Sequence, residues 1–357
     1  MISGNRGEWS ELYAFLKVLG DGKILSADAN LNILPGSPFI PVVSAIRKEN
    51  NRKQLSYLTG PTITVTNSDD ATLLEIDSSE VREKADALYS KIIGAEFDSS
   101  GAFELPDIEA FMDKLLLSSL KAPSTSKTDI TLQIHDRHTG ADSVCGWSIK
   151  SEIGSSPTLL NASAATNIVY QVTGLEADEI NQINSIKSQA KVKQRIQAIM
   201  AAGGHFVFLK GRDTFIRNLK LIDSLFPQIL SEALTIRYGE GLTTIQDIVG
   251  VLEERDPLSL GSGMYEFKFK KFLSSIALGM VPGTNWNGRD DANGGYIVVR
   301  KDGEVVAFHV YNRDSFEDYL FNHTKFDTPS TSRHHFGELY QVDDTVLFDL
   351  NLQIRFI

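Results

Sequence analysis

Residues 130–150 carry the pattern that most restricts the fold. Ile130, Leu132 and Ile134 alternate with Thr131, Gln133 and His135, and a period of two in hydrophobicity belongs to a half-buried β-strand. A polar stretch containing Gly140 follows, and residues 144–150 then read as a second strand, so the pair is expected to form an antiparallel hairpin. One face of such a hairpin has to be covered, and helical patterns elsewhere supply the cover. Trp9, Leu12, Tyr13, Phe15, Leu16 and Leu19 recur at helical spacing, with Gly20 expected as the stop. Further helices are expected over 79–93, 105–120, 176–200, 218–238, 243–253 and 265–278, with Pro106 placed in a first turn. Strands are expected over 58–65 and 72–76, while 39–46 reads equally well as strand or helix. From residue 294 onward the pattern turns to strands, at 294–300, 305–311, 339–342 and 346–355, with a short helix at 315–322. The fold class is mixed α/β. A core with helical insertions is expected over 1–255 and a C-terminal β-rich region over 256–357.

Composition excludes several classes. With 42% hydrophobic and 23% charged residues the chain is an ordinary globular one. No apolar run approaches the roughly 18–20 residues of a membrane span. The opening MISGNRGEWSE lacks the apolar core of an export signal, and the lone Cys145 has no partner for a disulfide, so a bacterial cytoplasmic location is expected. The net charge of −11 is unfavourable for a nucleic-acid ligand. Locally it reverses: from residue 180 to 212 there are Lys187, Lys191, Lys193, Arg195, Lys210 and Arg212 and no acid. Such a run is either a solvated face or a phosphate-binding one. No phosphate loop or dinucleotide fingerprint is present.

The chemistry gathers on the hairpin. Ser148 and Lys150 alternate on one face of the second strand, and Asp129 opens the first, 21 residues before Lys150. A carboxylate that holds a divalent metal, beside an ammonium that stabilises developing charge, suits phosphodiester hydrolysis. Hard oxygen ligands favour Mg²⁺ or Mn²⁺ over zinc. The layout resembles the PD-(D/E)xK nuclease core, with one departure: Ser148 stands where the second acid belongs. A hydroxyl is a poor ligand for Mg²⁺, so Ser148 takes a supporting position and another carboxylate is needed. Glu8 and Glu11, at the start of the first helix, are the candidates. A helical wheel at ~100° per residue puts Glu8 between Phe15 and Leu19 and Glu11 at the edge of the apolar sector, which favours Glu8.

Whole phrases extend the resemblance. GNRGEWSE (4–11), SKTDI (126–130), GWSIKSEIGSSPTLLNASAATN (146–167), ALGMVPGTNWNG (277–288), GGYIVV (294–299), DTPSTSRHHFG (327–337) and LNLQIRF (350–356) resemble the HpaII family of type II restriction endonucleases. The resemblance implies a PD-(D/E)xK fold, Mg²⁺ dependence and cleavage of double-stranded DNA at CCGG. It also implies a cognate DNA methyltransferase as functional partner. The subunit number is left open, a homodimer among the options. Two rivals are a structure-specific repair or recombination nuclease with the same core and a non-catalytic DNA-binding protein.

Several residues are candidates for DNA contact. Thr158 and Asn161 follow the catalytic strand, Lys191, Lys193 and Arg195 lie in the basic run, and Ser332 and Arg333 sit in the DTPSTSRHHFG loop. Arg333 has the fork geometry that reads guanine, and the alternative for it is an ion pair with Asp327. Trp9, Trp147 and Trp286 are expected in the core, and His135, Asp136 and His138 at a solvated hairpin tip.

Overall fold

The computed structural model describes residues 2–33, 36, 39–49, 54–95, 101–121, 127–137, 139–329 and 335–357. Ser332, Arg333 and His138 lie outside them. The chain is mixed α/β and divides into two compact units, one of residues 1–157, 277–279 and 290–319 and the other of 158–276, 280–289 and 320–357. The boundary expected at 255 falls inside the second unit. A single cut in sequence misses this division because a sheet can recruit strands from distant parts of a chain.

The first unit is built on a nine-stranded sheet. Its order is Lys23–Ser26, Val305–His309, Gly295–Val299, Asp142–Ser151, Ile130–His135, Ile40–Lys48, Gln54–Leu58, Thr62–Thr66 and Thr72–Asp77. The hairpin of the sequence reading is at its centre, with Ile130 opposite Trp147 and His135 opposite Asp142. Gly140 turns it at φ +70°, a conformation that costs glycine little. Gly295–Val299 lies parallel to the second hairpin strand, with Tyr296 beside Ser148 and Val298 beside Lys150. The ambiguous stretch 39–46 is strand, and the expected single strand at 58–65 is two strands folded back across Gly60 and Pro61. Proline lacks the N–H that a continuous central strand would donate.

Two helices, Arg6–Asp21 and Ser78–Gly94, pack together. The first starts at a capping box: the Asn5 side chain accepts from the Glu8 N–H, and the Glu8 carboxylate accepts from the Asn5 N–H, both at 3.1 Å. It ends at Gly22 (φ +62°), two residues past the expected stop. Gly20 has another job, since a Cβ there would meet Arg82 Cγ at 2.6 Å. Trp9, Leu12, Phe15, Leu16 and Leu19 are buried with Ile130, Leu132, Trp147 and Ile149 in one apolar cluster. Full burial of each large apolar side chain contributes about 1.5–3 kcal/mol. Trp9 and Trp147 are therefore core, as expected, while Trp286 is half-buried and donates its Nε1–H to Arg289 O at 2.7 Å.

The second unit holds a four-stranded antiparallel sheet, ordered His205–Gly211, Asn167–Thr173, Thr345–Asn351 and Leu339–Val342, and a three-stranded one of Thr158–Leu160, Ile354–Phe356 and Thr324–Phe326. Helices Ala177–Asn184, Lys191–Ala201, Asp213–Ile222, Phe226–Glu240, Ile245–Arg255 and Met264–Leu278 complete it. Three of the expected long elements are broken, at 185–190, 223–225 and 352–353. The helix expected to reach residue 120 stops at Lys114. Leu115 and Leu117 continue the apolar pattern because they are buried in the core, though they are not helical. Among the described residues no helix is long and apolar enough to cross a membrane.

Candidate active site

The hairpin register brings Asp129 and Ser148 together. The Asp129 N–H donates to Trp147 O at 2.9 Å, carrying the ladder one residue past Ile130. The Asp129 carboxylate then accepts two hydrogen bonds on the same oxygen, Oδ2: from the Ile149 N–H at 2.7 Å and from the Ser148 hydroxyl at 3.1 Å. Two donors on one oxygen fix the carboxylate plane and leave Oδ1 as its free acceptor. Ser148 is 2% exposed. Ser148 is thus a donor that orients Asp129. An acid there would put two acceptors face to face. Lys150 is half-buried, one alternation further along the same strand face.

The two glutamates of the first helix part company, and Glu11, where the wheel placed Glu8, is the one that turns inward. Both oxygens of Glu8 are engaged, Oε2 in the capping box and Oε1 with Lys121 at 3.3 Å, and its side chain is 32% exposed. Glu11 lies inward instead. Its Oε2 is buried without a hydrogen-bond partner, and its carboxyl is pushed up to about 7, first by burial and next by the negative charge of Asp129, against the opposing pull of Lys150. A wheel uses azimuth alone. It omits the free N–H groups of a first turn, which draw an acidic side chain back to the helix end. Glu11, one turn in, has no such partner and turns toward the sheet.

Glu11, Asp129 and Lys150 are therefore within electrostatic reach of one another. Two neighbours went unread in the sequence. Lys127 is half-buried and coupled by charge to Asp129 and Lys150, and its pKa is lowered, chiefly by burial. Its signal was available, since it stands two residues before Asp129 in the phrase SKTDI. Tyr296 is fully buried beside Ser148, and its hydroxyl has no partner. Burial and then the charges of Tyr319 and Asp129 hold that hydroxyl well above its ordinary pKa. Nothing local could have placed it there, because the parallel pairing joins strands far apart in the chain.

Of the described residues expected at DNA, Arg195 is differently placed. Arg195 is 3% exposed, and its guanidinium donates to Gly337 O at 2.6 Å, Asn184 O at 2.8 Å and Ile186 O at 3.0 Å. Every one of these acceptors is a backbone carbonyl, so Arg195 is a buried brace and the expectation of a phosphate contact is corrected. The Lys193 ammonium donates to Glu240 O at 2.8 Å, at the C-terminal end of Phe226–Glu240, where a cation suits the helix dipole. Lys191 opens its helix half-buried. Thr158 starts a strand, Asn161 is exposed, and Ser163 caps the turn Ala164–Thr166 by accepting from the Ala165 N–H at 3.1 Å. Asp327, the alternative partner of Arg333, pairs with Arg355 at 3.0 Å.

Comparison with known proteins identifies the family. The family described as HpaII restriction endonuclease matches residues 5–356. The type II restriction enzyme HpaII of Haemophilus parainfluenzae is 42% identical over 364 residues, an alignment covering 100% of this chain and 99% of that enzyme. No solved structure matches. A match of this length leaves no part of the chain outside the comparison, and the chain belongs to the HpaII restriction endonuclease family, as a type II endonuclease that cuts DNA at specific sites.

Proposed function

We propose that the enzyme cleaves both strands of DNA at CCGG with Mg²⁺ bound by Glu11 and Asp129, on a PD-(D/E)xK-type core. The observation that carries this is the buried, unpartnered Glu11 Oε2 next to Asp129 and Lys150. A carboxylate that is costly to ionise alone is cheap to ionise beside a cation. The donor set is all oxygen, which fits Mg²⁺, an ion commonly held by one or two carboxylates with water and substrate phosphate. Among the described residues no three acid, histidine or cysteine side chains form a metal cluster, so a two-carboxylate site is the version these residues support. When bound, such a cation supplies polarisation of the phosphate and acidification of the attacking water.

The protein's own groups do the remainder. Ser148 Oγ and the Ile149 N–H hold the Asp129 carboxylate in one plane. Lys150 places an ammonium where negative charge grows on the phosphate. The palindromic symmetry of CCGG presents the same phosphate on each strand, which favours two copies of the chain acting together. A cognate methyltransferase in the same cytoplasm would protect host sites.

The test is digestion of plasmid DNA followed by sequencing of the fragment ends, with Mg²⁺ and with EDTA. Uniform ends within CCGG, dependent on Mg²⁺, are expected. Discrete ends at another sequence would overturn the specificity, and smeared or junction-only cutting would favour a structure-specific nuclease.

A further inference from the structure

Two residues of the stretch 127–129, Lys127 and Asp129, interact electrostatically with Lys150, and the chemistry above uses only Asp129. Thr128 between them is tied down: its hydroxyl donates to Asp291 O at 2.9 Å, and a Cβ on Gly146 would meet Thr128 Oγ1 at 2.6 Å. The chain bends at Lys127 and again at Asp129, and both residues are half-buried. Both ends of the stretch are held, the Lys127 N–H by Asp291 Oδ2 at 3.4 Å and the Asp129 N–H by Trp147 O at 2.9 Å. Lys127 lies within electrostatic reach of the ammonium of Lys150 and the carboxylates of Asp129 and Asp291. Among the described residues neither Lys127 nor Lys150 has a hydrogen bond or ion pair on its Nζ.

Two lysines side by side without partners repel each other, and partial burial adds to the cost. With Glu11, Asp129 and Asp291 ionised, three carboxylates stand against two ammoniums and the group carries one net negative charge. A divalent cation would leave the group positive. Such a group suits a phosphodiester, which gains negative charge as it is cut.

We propose that Lys127 is a phosphate-binding residue of this active site, its ammonium contacting a non-bridging oxygen of the DNA backbone at the point of cleavage while Lys150 acts on the scissile group. The assignment rests on the catalytic reading of Glu11, Asp129 and Lys150 given above. Lys127 would contribute to affinity and to seating the strand, and so its effect is read in binding as well as in rate.

The experiment measures binding in Ca²⁺, to prevent turnover, of duplexes containing one CCGG site and a single methylphosphonate, which removes one backbone charge at a time. Lys127→Met should bind the unmodified duplex about tenfold more weakly. The slope of log K against log salt should fall by about one contact's worth, roughly 0.9. One phosphate at or beside the cut should weaken the wild-type protein when neutralised and leave Lys127→Met unaffected. Lys127→Arg, which keeps the charge, should retain the wild-type pattern. Identical patterns for wild type and Lys127→Met, or loss of the pattern in Lys127→Arg, would overturn the role of Lys127 alone. A wild-type pattern with no sensitive phosphate near the cut would overturn the catalytic reading as well. Thermal melting of each variant separates these results from misfolding.

Discussion

Two regions of this molecule carry lysines and arginines, and they use them in opposite ways. From 180 to 212 the sequence is basic without an acid, yet Arg195 is wrapped in carbonyls and Lys193 caps a helix. Around the hairpin the cations sit among acids, in a chain of net charge −11, but Lys127 and Lys150 have no partner on Nζ among the described residues. A cation whose hydrogen bonds are satisfied within the fold stabilises it. One that is half-buried and unsatisfied is poised for an anion from outside. Counting charge along a sequence therefore does not separate Arg195 and Lys193 from Lys127 and Lys150, whereas the partners of each charge do.

The contrast breaks first at Asp129 and Lys150. Asp129→Ala and Lys150→Met should each lower the single-turnover rate by at least ~10²-fold while specific binding in Ca²⁺ largely survives. Near-normal cleavage by either variant would remove the hairpin from the chemistry.

Glu11→Gln should come next, with a loss of Mg²⁺-supported cleavage larger than that of Glu8→Gln. The same change should make the metal-free protein more stable. The Glu11 carboxyl is raised from 4.5 to about 7 in the folded state, so the folded protein holds a proton that the unfolded chain releases between these values. Its stability therefore falls as pH rises through that window. Glutamine removes the dependence. Melting temperatures should diverge little near pH 4.5 and by several degrees above pH 7, a gap that closes when Mg²⁺ is added to the wild type. An equal Tm for both proteins at pH 8 would show that Glu11 finds a partner in solution.

Arg195→Met sharpens the comparison from the other side. Leaving three carbonyls without a donor should cost about 2–4 kcal/mol of stability, measured by urea unfolding. The affinity of the folded fraction for DNA should stay within about twofold, as expected for a residue that touches no phosphate. A reduced salt slope would return Arg195 to the DNA interface.

The smallest effect is expected at Ser148. Ser148→Ala removes one of two donors to Asp129 Oδ2 and should slow cleavage by about tenfold, the value of a hydrogen bond to a charged group. Ser148→Asp should be slower than Ser148→Ala because it sets a second carboxylate against the first. Faster cleavage by the aspartate variant would mean that position 148 reaches the metal after all.

What the sequence determined by itself is what short range can encode. Alternation fixed the hairpin at 130–150, and with it the neighbourhood of Asp129, Ser148 and Lys150, because strands joined by a short turn have few registers open to them. Helical spacing found the first helix, and Pro61 could have divided the strand expected at 58–65. Composition held back the DNA reading until whole phrases resembled a known family. The tertiary structure decided the rest. It turned Glu11 inward and held Glu8 at the helix end, since that outcome depends on which carboxylate the first turn captures and what the sheet presents to the other. It set Tyr296 beside Ser148 through a parallel pairing of distant strands, and it enclosed Arg195 among carbonyls. In each of these the deciding partner lies on another element, so the energy that fixes the side chain has no trace in the residues around it.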